Sequence, residues 1–183
     1  MIQLTAKQII EPLDWLIGKW KSITAKGFYP TIQPFNYCEE MEFQYIGQPI
    51  LNYSAVTWNS LDGLPMHLER GFLRINPGTC NIAFMVSHNR GLVSLEEGTL
   101  DLNQLNLRSK FIASMPFVRQ PPAMEISRSY TFCPNTKKMK FTMCLGTTNT
   151  PLTEHLNVEY QKITTESPVM EGTKPQNTYF SSF

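Results

Sequence analysis

The stretch Phe35-Asn36-Tyr37-Cys38-Glu39-Glu40-Met41-Glu42-Phe43-Gln44-Tyr45 alternates large apolar side chains with polar or small ones. Its odd positions are aromatic or apolar except for Glu39, which is the one carboxylate on that face. Alternate residues of a β-strand point to opposite sides, so this period of two predicts a strand with one buried face. The turn sequence Gly47-Gln48-Pro49 follows the strand.

Further strand-like segments continue along the chain, and turn sequences rich in Gly, Pro, Asn and Asp separate them. They span residues 50–58, 66–75, 82–87, 92–98, 100–109, 126–132, 139–145 and 156–163. Short strands with turns every 8–12 residues are typical of an antiparallel sandwich or barrel. With a first strand near Gly18, about ten strands are expected. The prediction is an all-β protein, a single antiparallel up-and-down β-barrel.

Little helix is expected outside this barrel. Residues 12–17 are predicted to form one turn, with Trp15 and Leu16 capping an end of the barrel. The segment 112–124, which contains Pro116 and a Pro-Pro pair, is predicted to be a crossing loop. A closed barrel has no exposed strand edge, and ten strands enclose more space than side chains easily fill. The sequence therefore predicts a ligand-binding interior.

The composition divides the chain into two parts. Residues 1–163 are predicted to be the barrel domain. Residues 164–183 are rich in Thr, Ser, Pro and Gly and are predicted to be a disordered tail. One hypothesis for the tail is that its terminal aromatic residues recruit a partner, which would make the protein an interaction module.

Charge and cysteine content exclude several functions. The chain has 183 residues, with 16 Lys and Arg against 15 Asp and Glu. This balance disfavours a nucleic-acid partner, which needs clustered positive charge. No apolar run reaches the roughly 20 residues of a membrane span, and no secretory signal is evident. A cytoplasmic location without a membrane partner is predicted, with the nucleus as a second compartment. The four cysteines form no CxxC pair, which disfavours cysteine-ligated zinc and covalent haem.

The residues that carry catalytic chemistry are few. The sequence has no Gly-x-Ser-x-Gly elbow and no glycine-rich phosphate loop. In the pairs Glu39-Glu40 and Glu96-Glu97, neighbouring side chains point to opposite faces, so one is expected in solvent and one near the barrel mouth. Of the three histidines, His88 precedes Asn89-Arg90-Gly91 and is expected in a solvated turn. His67 lies at a strand start, with the face of its ring left open, and His155 lies just before the last strand.

Three groups of segments together resemble the nitrobindins, which are haem-binding β-barrels also described as peroxynitrite isomerases. The segments are 13–20 with 27–40, which contains Tyr29-Pro30-Thr31; 47–51 with 65–74, which contains Pro65-Met66-His67; and 151–160, which contains Glu154-His155-Leu156. The order and spacing of these segments make the match specific over residues 10–163. The resemblance is closest to the animal members, without the zinc-containing DNA-binding domain that can precede their barrel.

The resemblance implies a barrel shaped like the fatty-acid-binding proteins, which holds a non-covalent haem b at one mouth. His155 matches the axial iron ligand and the catalytic position, Thr31 matches a haem contact, and His67 is placed near the pocket without ligation. The implied partners are haem, NO and peroxynitrite, with homodimerisation left open. The implied activity of the ferric haem protein is isomerisation of peroxynitrite to nitrate. Apolar walls are expected from Phe43, Tyr45, Met66, Phe72 and Met143.

One motif departs from the family pattern. Where the family has Gly-x-Trp-x-Gly-x-Gly, this chain keeps Gly18 and Trp20 but carries Ser22 and Thr24 in place of two glycines. Strand glycines permit close approach of a ligand, so these replacements are expected to narrow the space over the porphyrin. The altered motif also fits the main alternative function, a non-catalytic carrier of an apolar ligand related to lipocalins and fatty-acid-binding proteins.

Overall fold

The computed structural model describes residues 4–163, which form one closed barrel of ten antiparallel strands. Each strand pairs with its neighbours in sequence, and the first and last strands pair to close the barrel. This confirms the predicted fold class. The strands are β1 (Gly18–Tyr29), β2 (Ile32–Tyr45), β3 (Ile50–Asn59), β4 (Pro65–Ile75), β5 (Asn81–His88), β6 (Leu92–Asp101), β7 (Gln104–Ser114), β8 (Ala123–Cys133), β9 (Lys138–Thr147) and β10 (Thr153–Lys162).

The predicted crossing loop is shorter than expected. β7 continues to Ser114 because the backbone of Ile112 and Ser114 pairs with β6. The irregular segment is therefore confined to residues 115–122, which contain the three prolines of this region. The predicted tail, 164–183, lies outside the described residues, so the boundary between the two parts stays a prediction.

A short helical segment closes one end of the barrel. Helix α1 (Ala6–Ile10) begins with a capping box, in which Thr5 and Gln8 exchange hydrogen bonds, and a 3-10 turn (Glu11–Leu13) follows. Leu16 is fully buried, and the indole N–H of Trp20 donates to its carbonyl oxygen at 2.8 Å. The predicted cap is confirmed, although the helix begins at Ala6 rather than at residue 12. In residues 4–163 no helix has the length and apolar character needed to cross a membrane.

Aromatic side chains fill the half of the barrel next to this cap. Their ring centroids lie 4.7 to 6.4 Å apart, within the range of favourable aromatic pairs. The cluster consists of Phe43, Tyr53, Phe84, Tyr130 and Phe141. Because the barrel's own side chains occupy this half, the predicted ligand space is restricted to the opposite end, the mouth.

The predicted apolar walls are only partly correct. Phe43 belongs to the aromatic cluster, and Tyr45 lies at the capped end, where Lys7 of α1 stands over its ring. Phe72 is 46% exposed on the outer surface, because Glu69 and Leu73 point inward and the strand period sends Phe72 to the other face. Met66 and Met143 remain as partly buried or buried residues of the interior.

Candidate cofactor site at the barrel mouth

The three residues predicted for the site lie at the same end of the barrel. Thr31 is an exposed residue of the turn between β1 and β2, His67 is near the start of β4, and His155 is near the start of β10. In an up-and-down barrel, odd strands end and even strands begin at the same rim. The topology therefore brings residues far apart in sequence to the mouth.

His155 sits at an irregularity of β10 that orients its ring. The pairing of β10 with β9 shifts between Glu154 and Leu156, so His155 is the extra residue of a bulge. Its Nδ1 lies 2.9 Å from the carbonyl oxygen of Phe28, and the ring of Tyr29 meets it edge-on at 5.4 Å. The N–H at Nδ1 donates to that carbonyl, which leaves the lone pair on Nε2 for a metal ion.

The surroundings favour the neutral form of the His155 imidazole. Burial lowers its pKa, and the Phe28 carbonyl only partly opposes this effect. The positive charges of Arg90 and Arg119, together with His67, lower the pKa further. A neutral imidazole is the form that binds a metal, so His155 is ready to act as a ligand at neutral pH.

The rim of the mouth combines large apolar side chains with two guanidinium groups. Leu61 is 94% exposed and Phe117 is 83% exposed, although both are apolar. Others of this kind at the rim are Ile32, Leu64, Met115 and Met124. Burial lowers the pKa of Arg90, and the nearby positive charge of Arg119 lowers it further. Exposed apolar side chains, two guanidinium groups and a free imidazole nitrogen at one mouth fit an apolar macrocycle that carries carboxylates, as haem does.

A buried ionic layer separates the mouth from the aromatic cluster. Arg128 donates from its two terminal nitrogens to the Glu69 carboxylate at 2.8 and 3.0 Å. Its Nε donates to both oxygens of Glu96 at 3.1 Å, and its guanidinium lies 5.8 Å from the Phe84 ring centroid. Sequence reasoning missed Arg128. The signal was its place between Ile126 and Tyr130 on the buried face of a strand.

The adjacent carboxylates divide between the two faces as predicted. Glu96 and Glu39 are buried, whereas Glu97 and Glu40 are exposed. The buried members lie within the barrel interior rather than at its rim, since Glu96 binds Arg128 above the aromatic cluster. Burial alone would raise the pKa of Glu69, but Arg128 and hydrogen bonds from the histidines hold that pKa well below its usual range.

Two histidines converge on Glu69. His67 Nε2, His88 Nδ1 and Glu69 Oε1 are separated from one another by 3.1 Å. The prediction that His88 lies in a solvated turn is wrong: it is the last residue of β5 and is buried. Its position opposite Glu69 in the β4–β5 pairing directs its ring into the barrel. On the other side, Arg90 Nε donates to His67 Nδ1 at 3.3 Å.

The replaced glycines do not narrow the mouth as expected. Thr24 is exposed and lies opposite Glu159, whose own neighbours Val158 and Tyr160 are buried, so the Thr24 side chain points away from the interior. Ser22 lies where β1 and β2 lose their pairing, and its hydroxyl accepts from the backbone N–H of Glu39 at 2.9 Å. The hydroxyl satisfies a donor that the broken ladder would otherwise leave free.

Glu39 is expected to make stability depend on pH. Burial raises its pKa to about 7 from an ordinary value of 4.5. The folded protein therefore holds this proton more tightly than the unfolded chain, and the resulting stability is lost as the pH rises towards 7. Between pH 5 and pH 8 the loss is about 2–3 kcal/mol. We expect Glu39→Gln to remove this part of the pH dependence, measured by urea unfolding at both pH values. If the free energy of unfolding changes between pH 5 and pH 8 by the same amount in both proteins, the assignment to Glu39 is contradicted.

Comparison with known proteins agrees with this architecture. The family model described as a THAP4-like, heme-binding beta-barrel domain matches residues 9–162. A human protein named peroxynitrite isomerase THAP4 is 39% identical over 158 residues, which are 85% of this chain and 27% of that protein. The chain thus spans about a quarter of the length of the animal relatives that it matches.

Two further relatives match along nearly their whole length. An Arabidopsis thaliana protein named peroxynitrite isomerase Rv2717c is 31% identical over 84% of this chain and 89% of its own. The crystal structure of Rv2717c from M. tuberculosis superposes with a TM-score of 0.76 at 26% identity, covering 85% of this chain and 98% of that one. The chain belongs to the family of THAP4-like haem-binding β-barrel domains, the nitrobindin family.

Proposed function

We propose that this protein binds haem b non-covalently with His155 as the axial ligand, and that the haem-loaded protein isomerises peroxynitrite to nitrate and binds NO. The observation that carries the proposal is the neutral, oriented imidazole of His155 at a mouth with an apolar rim. Bound haem would supply a Lewis-acidic iron with one coordination position left for a small ligand.

The chain's own residues would hold the cofactor in three ways. The Phe28 carbonyl fixes the ring of His155, as outer hydrogen bonds do for metal-bound histidines. The apolar rim residues would cover the macrocycle, which removes their exposed surface from water at about 25 cal/mol per Å². Arg90 and Arg119, whose positive charges both act on the His155 ring, would pair with the two propionates. Thr31 and His67 remain proposed haem-contacting residues at the same mouth.

The reaction makes few demands on the protein. Peroxynitrite and nitrate contain the same atoms and carry the same charge, so the isomerisation consumes no proton and no electron. No acid and base pair is therefore required of the carboxylates, which are engaged with Arg128. Arg90 and Arg119 would draw the anion towards the mouth. The printed names of the human and Arabidopsis relatives support this choice of reaction.

The alternative function, a carrier of an apolar ligand, fits the interior less well. A fatty-acid-like chain would have to extend from the mouth towards the aromatic cluster. The ionic layer of Glu69, Glu96 and Arg128 lies across that route, and an apolar ligand cannot satisfy those groups. A flat ligand at the mouth avoids this layer.

The cellular location and the oligomeric state of the protein are also proposals. We place the protein in the cytoplasm, with the nucleus as a second compartment, because its charge is balanced and its composition is that of a globular domain. The same balance argues against a nucleic-acid partner. Homodimerisation is left open, and sedimentation of the haem-loaded chain would decide it.

The activity is tested by mixing the ferric haem-loaded chain with peroxynitrite in a stopped-flow instrument. We expect peroxynitrite to decay faster than with an equal concentration of free hemin, with nitrate as the dominant product. The haem-free chain is the matched control, and it should leave the spontaneous decay rate unchanged. A decay rate equal to that of free hemin would contradict the isomerase proposal, even if haem is bound.

A further inference from the structure

We propose that His67, Glu69 and His88 form a second metal site, which takes a divalent first-row transition cation such as Fe²⁺ or Co²⁺ inside the barrel, below the mouth. Glu69 and His88 face each other across β4 and β5, and His67 precedes Glu69 by two residues on β4. Two of them are buried, and the side chain of His67 is 28% exposed towards the mouth. This site uses none of the atoms assigned to haem ligation by His155.

The spacing of the three ligand atoms matches a metal's coordination shell. His67 Nε2, His88 Nδ1 and Glu69 Oε1 form a triangle with sides of 3.1 Å. A cation about 2.1 Å from each atom would see angles of about 95° between its bonds. Tetrahedral zinc would need sides of about 3.4 Å. The triangle therefore fits one face of an octahedron, the arrangement of the two-histidine, one-carboxylate sites of non-haem iron.

The hydrogen bond between His88 Nε2 and Ser94 makes Nδ1 the atom of His88 that can bind a metal. Ser94 Oγ donates to Glu96 Oε1 at 2.7 Å, so the same hydroxyl accepts from His88 Nε2 at 3.3 Å. With a metal bound, His88 would therefore keep a proton on Nε2, and its Nδ1, which lies 3.1 Å from Glu69 Oε1, would present a lone pair to the centre of the triangle. The second oxygen of Glu69 accepts from the hydroxyl of Tyr53 at 2.8 Å, which fixes the carboxylate. Hydrogen bonds of this kind orient most metal-binding histidines and carboxylates.

The charge balance of the buried layer also favours a cation. Glu69 and Glu96 share a single guanidinium, that of Arg128, which leaves one buried negative charge without a permanent partner. Uncompensated buried charge is costly, so a cation that enters beside Glu69 is stabilised. In the metal-free protein, the N–H at His67 Nε2 points to Glu69 Oε1, in the space that the cation would fill.

The Arg90 contact distinguishes the metal-free site, which holds the His67 proton, from the site with a bound metal ion. Its Nε donates to His67 Nδ1, so the His67 proton lies on Nε2, inside the triangle. A metal ion would take the place of that proton, and His67 would then carry its proton on Nδ1, facing Arg90. The Arg90 contact and the metal therefore exclude each other. We expect Arg90→Gln to bind the metal more tightly than the wild-type chain does.

The site is tested by titrating Co²⁺ into the full chain, without added haem, with dialysis and metal analysis for stoichiometry and visible absorption for geometry. We expect one Co²⁺ per chain, with the weak absorption bands of a five- or six-coordinate ion. We expect His88→Gln and His67→Gln to lose at least about tenfold in affinity. Circular dichroism checks the fold of each variant, and His67→Gln remains informative if His88→Gln does not fold.

The controls separate this site from the other ligands of the chain. His155→Ala should bind Co²⁺ as tightly as the wild-type chain, because His155 is not part of the triangle. All variants keep the four cysteines, so binding by thiols would persist in them and would show a sulfur charge-transfer band. No uptake of Co²⁺, Fe²⁺ or Zn²⁺ by the wild-type chain, or undiminished uptake by both histidine variants, would overturn the proposal. An affinity that does not rise in Arg90→Gln would overturn the exchange with the His67 proton.

Discussion

Replacing His155 with alanine is expected to lower the affinity of the protein for hemin by about a hundredfold or more. Loss of a contact that only supports a metal ligand costs 10- to 100-fold, and this change removes the ligand itself. The Phe28 carbonyl loses its hydrogen-bond partner at the same time. The measurement is a hemin titration of the full chain, followed by absorption in the Soret region.

Added imidazole provides the control for this variant. The cavity left by His155→Ala lies between Phe28 and Tyr29, where free imidazole can occupy the position of the lost ring. We expect imidazole to restore hemin binding in the variant and to leave the wild-type affinity almost unchanged. A variant that keeps wild-type affinity and spectrum without imidazole would show that another residue holds the iron.

Replacing Arg128 with methionine is expected to lower the free energy of unfolding by about 3–5 kcal/mol. Methionine fills much of the same volume but leaves Glu69 and Glu96 buried without their cation. The cost arises because those two carboxylates lose charge-assisted hydrogen bonds that water cannot replace. Urea unfolding at neutral pH, followed by circular dichroism, measures the change.

Arg108→Met is the matched control for Arg128→Met. Arg108 lies on the neighbouring strand β7 and pairs with Glu125, but its side chain is 66% exposed. Water screens such a pair, so the same substitution there is expected to cost less than about 1 kcal/mol. Similar losses in the two variants would contradict the claim that burial gives the Arg128 cluster its importance.

The fold was predictable because the information is local. The alternation in 35–45 and the turn sequence after it reflect the period of a strand with one buried face. The cap was also predictable, since Trp15 and Leu16 stand just before the first strand. The start of α1 was not, because five residues with one buried side chain give little periodicity to detect. Likewise, backbone pairing extended β7 into a segment whose composition indicates a loop.

Of the site residues, the sequence predicted only those that lie in a motif shared with the family. His155, Thr31 and His67 came from the family resemblance, and the topology places all three at one mouth. His88 and Arg128 were not found because their roles depend on pairing between strands. His88 faces Glu69 across β4 and β5, and Arg128 reaches Glu69 across the interior. A turn motif after His88 indicates solvent, but the strand register turns its ring inward.

The central claim is that the imidazole of His155 holds the iron of a single haem at the mouth. Resonance Raman spectroscopy of the reduced, hemin-reconstituted chain tests it directly, because the iron–histidine stretching band reports the axial ligand. We expect one haem per chain and an iron–histidine band that disappears in His155→Ala. The same band in His155→Ala, or a wild-type chain that binds no stoichiometric haem, would contradict the account.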